Sequence, residues 1–150
     1  MEDKERVFLD TNILVYAADE LSPFHRKAKE IRDKVGRERI KACISLQVLT
    51  EFYSAVTNTR NEIPLSPKKA KKEIESYLRN DFIIKLSPRE KTIRRMIDLA
   101  QIKGVKGQNI YDTQIVATML DNGIRRIYTN NDKDFVKFGE IEVVNPFKGG

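Results

Sequence analysis

The side chains of this chain that are best suited to chemistry are carboxylates. Five of them lie within two turns of a predicted strand end or helix start: Asp10, Glu51, Asp112, Asp132 and Asp134. In an open parallel sheet, ligands bind beyond the carboxyl ends of the strands. We therefore expect these side chains to converge on one crevice at that edge of the sheet.

Several carboxylates in one crevice repel one another, which raises their pKa values or recruits a divalent cation. The chain has one His and one Cys, too few for a zinc finger and too little to build a Cys–His protease or a Ser–His–Asp hydrolase. Ligands that are all oxygen favour Mg²⁺ or Mn²⁺. A water molecule on such an ion can attack a phosphodiester while the metal stabilises the developing charge.

Each acid also has a simpler structural interpretation. Asp10 could cap the helix that follows it, and Asn109 could cap a later helix with Asp112 at its third position. Asp132 and Asp134 could be turn and cap residues. The convergence of all these acids on one edge favours the functional interpretation.

Charge and composition favour a partner that is a polyanion. The net charge is +6, and residues 25–106 hold 21 Lys or Arg against 10 Asp or Glu, which suits nucleic acid. A single cysteine excludes a disulfide-stapled secreted scaffold. The chain shows neither a signal-peptide pattern nor a membrane-spanning apolar run, so we expect a cytoplasmic protein with no membrane association.

Short apolar runs alternate with longer helical patterns along the chain. Five of these runs predict strands: Val7–Leu9, Ala42–Ile44, Phe82–Leu86, Arg126–Thr129 and Ile141–Val144. Helices are predicted from Asn12, from about Phe24 to Val35, across Leu49–Val56, after Ser66-Pro67 and Ser87-Pro88, across Asn109–Leu120, and in a half-helix to Phe138. This alternation predicts an α/β fold with a mostly parallel sheet and helices on both faces, in one domain spanning residues 1–150.

Three segments of the chain resemble the PIN domain, in particular the small single-domain ribonucleases of the VapC toxin type: VFLDTNILVYA, SLQVLTEFYSAV and NIYDTQIVATMLDNGIRRIYTNNDKDF. The resemblance implies a three-layer α/β/α fold and an endoribonuclease that depends on Mg²⁺ or Mn²⁺ and leaves a 5′-phosphate and a 3′-hydroxyl. It also implies a homodimer and an antitoxin whose segment covers the acidic pocket. Tyr16 and Phe24 are candidates for a dimer or antitoxin contact.

The family motifs assign roles to individual residues of this chain. Asp10 and Asp112 match the metal-binding acids, and Glu51 matches the acid in the helix after the second strand. Asn12 and Thr129 resemble the polar residues that orient the first Asp and the metal-bound water.

The fourth acid departs from the shorter family pattern, in which Thr is followed one residue later by Asp. Here two asparagines separate Thr129 from Asp132, so the position stays open between Asp132 and Asp134.

Two rival functions share these features. One is a PIN nuclease of ribosomal RNA processing, and the other is an RNA-binding module in which the acids are only caps. Transfer of phosphate through Asp10 is disfavoured, because a second Asp is expected where the chain has Asn12.

Overall fold

A five-stranded parallel sheet forms the centre of the molecule. The computed structural model describes residues 5–34 and 40–148. Its strands are β1 (Glu5–Leu9), β2 (Ile40–Ser45), β3 (Ile84–Leu86), β4 (Arg126–Tyr128) and β5 (Glu142–Val144). They lie in the order β3-β2-β1-β4-β5, and every neighbouring pair is parallel. The predicted α/β fold with about five strands is therefore confirmed.

Within the described ranges, seven α-helices connect these strands. They are α1 (Thr11–Ala18), α2 (His25–Asp33), α3 (Leu46–Thr57), α4 (Pro67–Arg79), α5 (Glu90–Lys103), α6 (Ile110–Asp121) and α7 (Asp132–Phe135). The chain moves outward from β1 to β3 through α1–α4 and then crosses back to β4 through α5 and α6. Because such crossovers are right-handed, this change of direction puts α5 and α6 on the opposite face from α1–α4.

The strand order reverses between β1 and β4. The backbone N–H of Asp10 donates to the carbonyl of Tyr128 at 3.1 Å, so the two strands end side by side. A reversal of this kind opens a crevice beyond the carboxyl ends of the two strands, where α/β proteins bind ligands. Asp10 and Thr129 are the residues that directly follow these two strands.

Local sequence signals explain where the helices begin and end. The side chains of Ser45 and Ser66 accept hydrogen bonds from the first turns of α3 and α4, and Pro67 occupies the first position of α4. Beyond α6, Gly123 adopts a φ of +69°, a left-handed conformation that glycine adopts without steric cost. The predicted Ser-Pro start of α4 and the glycine stop of α6 are confirmed.

The central strand is buried on both sides. Its consecutive residues Val7, Phe8 and Leu9 are all buried, as expected for a parallel strand that is covered by helices on both faces. Ile44 on β2 and Ile127 on β4 are buried beside it. This core fixes the carboxyl end of β1, from which Asp10 extends.

Some element boundaries differ from the sequence-based expectation. The third strand begins at Ile84 rather than Phe82, because the Asn80 side chain accepts from the Phe82 N–H and holds a turn there. The half-helix predicted to Phe138 ends at Phe135. Val35, the expected end of the second helix, lies outside the described residues.

The start of α6 also differs, because Asn109 belongs to a 3-10 turn (Gly107–Asn109) that precedes the helix.

None of the helices within residues 5–34 and 40–148 has the length and apolar character needed to cross a membrane.

Candidate active site

Asp10 is a buried carboxylate held by three donors. It caps α1, and its Oδ1 accepts from the Thr11 N–H at 2.8 Å. Its Oδ2 accepts from the Thr129 hydroxyl at 2.8 Å and from the Asn12 amide at 3.1 Å. The capping interpretation of Asp10 is thus confirmed, and the Asn12 and Thr129 side chains both donate to its carboxylate.

Burial dominates the electrostatics of Asp10. The side chain is 5% exposed, and loss of hydration raises its pKa above the ordinary 3.8, against the opposing effect of the hydrogen bonds from Thr129 and Thr11. The negative charge of Glu51 raises the pKa further. A cation at this position would favour the ionised carboxylate.

Glu51 projects from the second turn of α3, and both of its oxygens are engaged. Oε2 accepts from the Thr11 hydroxyl at 3.0 Å, and Oε1 accepts from the Gln47 amide at 2.6 Å. The same amide nitrogen of Gln47 donates to the carbonyl of Tyr111 at 3.2 Å. Gln47 therefore ties Glu51 to the backbone directly before Asp112.

Gln47 is a residue of the candidate site that the sequence patterns did not reveal. The available signal was its spacing, since residues four apart on a helix are neighbours and Gln47 stands four residues before Glu51. The second contact, to α6, could not be inferred from spacing.

Asp112 lies half-buried in the first turn of α6. Burial, and then the negative charges of Asp10, Asp134 and Glu51, raise its pKa to about 6, while Lys137 acts in the opposite direction.

The capping interpretation of Asp112 finds no support. The Asn109 side chain makes no capping bond to α6. Within the described residues, no donor is hydrogen-bonded to the Asp112 carboxylate either. No hydrogen bond of this kind therefore offsets the repulsion between Asp112 and the neighbouring acids.

The two candidates for the fourth acid have different surroundings. Asp132 accepts hydrogen bonds from Lys148 at 3.0 Å and from Asn145 at 3.1 Å, and these bonds hold its pKa below the ordinary value. The charge of Asp134, in contrast, is one of those that raise the pKa of Asp112. The structure thus brings Asp134 toward the other acids and engages Asp132 with the C-terminal segment.

The donor set suits a hydrated magnesium or manganese ion. Among the residues that the structure describes, no three or more His, Cys, Asp or Glu side chains are arranged to hold a metal ion. Magnesium, however, is usually bound through one or two carboxylates and keeps several waters. Asp10 and Asp112 provide two carboxylates for such an ion. A bound cation would also offset the repulsion that raises the pKa of Asp112.

The fold of the chain agrees with the family comparison. The sequence profile of the PIN domain matches residues 7–141, so the chain belongs to the PIN-domain family. The resemblance inferred from the three segments is confirmed.

Individual relatives extend this comparison. Ribonuclease VapC48 of Mycobacterium tuberculosis is 28% identical over 144 residues, covering 93% of this chain and 97% of that protein. The crystal structure of VapC20 of the same species, described as a sarcin–ricin loop cleaving toxin, is 17% identical with a TM-score of 0.68, covering 91% and 98%. A toxin–antitoxin complex from Klebsiella pneumoniae includes a similar chain at 22% identity and a TM-score of 0.63, covering 94% and 98%.

Proposed function

We propose that this protein is an endoribonuclease that uses Mg²⁺ or Mn²⁺ to hydrolyse RNA phosphodiesters, and that it is the toxin of a toxin–antitoxin pair. The observation that carries the proposal is a set of hydrogen bonds that links the acids: Thr11 donates to both Asp10 and Glu51, and Gln47 joins Glu51 to the Tyr111 carbonyl directly before Asp112. The charge of Asp134 also acts on Asp112, whose pKa rises to about 6. Similarity to ribonuclease VapC48 supports RNA as the substrate.

The residues of the crevice divide the work of hydrolysis. Asp10 and Asp112 would hold the cation, which would lower the pKa of a water molecule and stabilise negative charge on the phosphate. Glu51 and Asp134 orient that water and accept its proton. The water oxygen would bond to phosphorus as the bond to the 3′ oxygen breaks, and that oxygen would take a proton from solvent, leaving a 5′-phosphate and a 3′-hydroxyl.

The charge of the chain supports a substrate with a phosphate backbone. Exposed basic side chains lie along α4 and in the middle of α5: Lys68, Lys69, Lys71, Lys72, Arg94 and Arg95. Contacts with phosphates give affinity that depends strongly on salt and weakly on base sequence. We therefore assign these cations to holding RNA while the acids cut it.

A groove of about 660 Å³ beside α1 supports a protein partner. Tyr16 and Phe24 line the groove together with Leu21 and Ile63, which are 55% and 70% exposed. Acidic residues also line it: Asp19, Glu20 and Glu62. An antitoxin segment that carries apolar and basic side chains fits this groove. We also propose that the protein is a homodimer in the cytoplasm.

The experiment is cleavage of a labelled single-stranded RNA with Mg²⁺, with Mn²⁺ and with EDTA. Wild type is compared with Asp10→Asn and with Asp132→Asn, which makes the same chemical change outside the acidic crevice. We expect metal-dependent cutting by wild type and Asp132→Asn, and a loss of at least about 100-fold in Asp10→Asn. Cutting by Asp10→Asn at the wild-type rate would contradict the assignment.

Toxin status is tested separately, by expression in cells. We expect growth arrest with wild type, no arrest with Asp10→Asn, and relief when the partner encoded beside the toxin is co-expressed. Normal growth with active wild-type enzyme would instead favour a nuclease of ribosomal RNA processing.

A further inference from the structure

The segment Asn145–Lys148, called here the C-terminal strap, follows β5 and lies beyond the part of the chain that matches the PIN-domain profile. It nevertheless contacts the loop between β4 and α7, where Thr129 approaches Asp10. Because it contacts this loop, the strap can influence the position of the acids.

Asn145 makes the polar contacts of the strap with this loop. Its Nδ2 lies 3.0 Å from the Asn130 Oδ1, 3.4 Å from the Asn130 carbonyl and 3.1 Å from the Asp132 Oδ1. Its own Oδ1 accepts from the Phe147 N–H at 3.0 Å. Because that backbone donor fixes which end of the amide is oxygen, the NH₂ group must face Asn130 and Asp132.

Asn130 continues the contact toward the acids. Its backbone N–H donates to the Asn12 Oδ1 at 3.0 Å, and the Asn12 amide donates to Asp10. The Asn130 side chain donates to the Tyr16 hydroxyl at 2.9 Å. A continuous chain of amides therefore runs from Asn145 through Asn130 and Asn12 to Asp10.

Apolar packing holds the strap in place. The Phe147 ring lies 5.3 Å from the Tyr16 ring and 5.0 Å from the Phe24 ring, measured between centroids. Aromatic pairs at these distances add to the stability gained by burial. The ion pair of Lys148 with Asp132 is exposed and contributes little.

We propose that Asn145 is a positioning residue that fixes Asn130 and, through Asn12, the carboxylate of Asp10. The role in cleavage rests on the proposed nuclease function, whereas the ordering of the loop does not. Substituting a residue that orients a metal-binding side chain typically lowers metal affinity or activity by about 10–100-fold.

The test uses Asn145→Asp, which keeps the size of the side chain and the oxygen that accepts from Phe147 but removes the donor. We expect kcat for RNA to fall about 10-fold or more with KM within about twofold. We also expect the Asn130 and Asn131 amide hydrogens to exchange about fivefold faster, as for the loss of one hydrogen bond. Lys148→Ala, which removes only the exposed ion pair, is the matched control with neither effect.

Two further variants keep the proposal falsifiable. Asn145→Ala removes the donor without adding charge and replaces Asn145→Asp if that variant does not fold. Asn145→Asp combined with Asp132→Asn restores a donor–acceptor pair between those two positions only, so it should not recover kcat. Recovery in this double variant would overturn the path through Asn130.

Unchanged exchange of the Asn130 and Asn131 amides in a folded Asn145 variant would also overturn the proposal. If the wild-type protein cuts no RNA, the nuclease assignment fails, and the exchange measurement still decides whether the strap orders the loop.

Discussion

The two acids assigned to the cation differ in how the fold treats them. Asp10 is nearly buried and accepts hydrogen bonds from Thr11, Asn12 and Thr129. Asp112 is half-buried, faces three other carboxylates, and has its pKa raised to about 6. Folding alone therefore fixes the geometry of Asp10, whereas the charge of Asp112 depends on what binds beside it.

The difference follows from where the two acids lie. Asp10 ends the central strand at the point where the strand order reverses, so donors from two neighbouring segments reach it. Asp112 stands in the first turn of a helix that approaches the same crevice from another layer. Asp10 is therefore held in place before a cation binds, whereas the ionised form of Asp112 is stabilised only once the cation is bound.

Among changes to the residues that support the acids, the largest expected effect comes from removing a donor to Asp10. Thr129→Val should lower the free energy of unfolding by about 1–3 kcal/mol, because the hydroxyl is fully buried and also accepts from the Asn131 N–H. RNA cleavage should fall roughly 10–100-fold. The measurements are chemical denaturation and cleavage rate.

Thr118→Val is the matched control for this change. Thr118 is equally buried but donates to the carbonyl of Gln114 within α6. It should leave cleavage within about twofold of wild type, since no contact with Asp10 is lost. Full cleavage by Thr129→Val would show that Asp10 needs no such support.

A smaller effect separates the two acids of α7. Asp134→Asn should lower the cleavage rate about 10-fold, because it removes a carboxylate that is assigned to orienting the attacking water and accepting its proton. Asp132→Asn should leave the rate within about twofold, because its partners are Lys148 and Asn145. If Asp132→Asn lowered the cleavage rate more than Asp134→Asn, Asp132 rather than Asp134 would be the fourth acid of the site.

Asp112 should destabilise the metal-free protein above about pH 6. Because its pKa rises from 3.8 to about 6 on folding, the folded state binds more protons between these values. Its contribution to stability therefore falls as pH rises through that window. Asp112→Asn should raise the melting temperature at pH 7.5 in EDTA by a few degrees, at about 2–4 °C per kcal/mol.

The same comparison at pH 4 tests the sign of this effect. There the wild-type carboxyl is largely protonated in the folded state, so most of the advantage of Asp112→Asn should disappear. An equal advantage at both pH values would exclude charge repulsion as its cause.

The smallest expected effect concerns the bridge from Glu51 to α6. Gln47→Leu removes the amide that contacts Glu51 and the Tyr111 carbonyl. It should slow cleavage about three- to tenfold, as for the loss of one hydrogen bond, with little change in melting temperature. Gln101→Leu, on the exposed side of α5, is the control. If Gln47→Leu lost as much cleavage as Thr129→Val, Glu51 would depend on its hydrogen-bond donors as strongly as Asp10 does.

Much of the fold could be predicted, because strand and helix periods differ and cap residues mark helix starts. For this reason, strand β1 could be predicted from the apolar run before Asp10, and the start of helix α4 from Ser66-Pro67. The third strand was predicted two residues too long because the Asn80 side-chain turn is a tertiary choice that apolar character does not reveal.

The candidate site was predictable only in part. Placement of Asp10, Glu51 and Asp112 at one edge follows from parallel topology. The choice between Asp132 and Asp134 depends on which side of a four-residue helix faces the crevice, which spacing cannot decide. Gln47 and Asn145 were missed because amide side chains carry no charge signal and act across distant segments.

The most direct test of the central claim is calorimetric titration of Mn²⁺ into the RNA-free protein. Wild type and Asp132→Asn should bind the ion, and Asp10→Asn and Asp112→Asn should each lose at least about 100-fold in affinity. Equal Mn²⁺ affinity in wild type and Asp112→Asn would contradict the assignment of the cation to these two carboxylates.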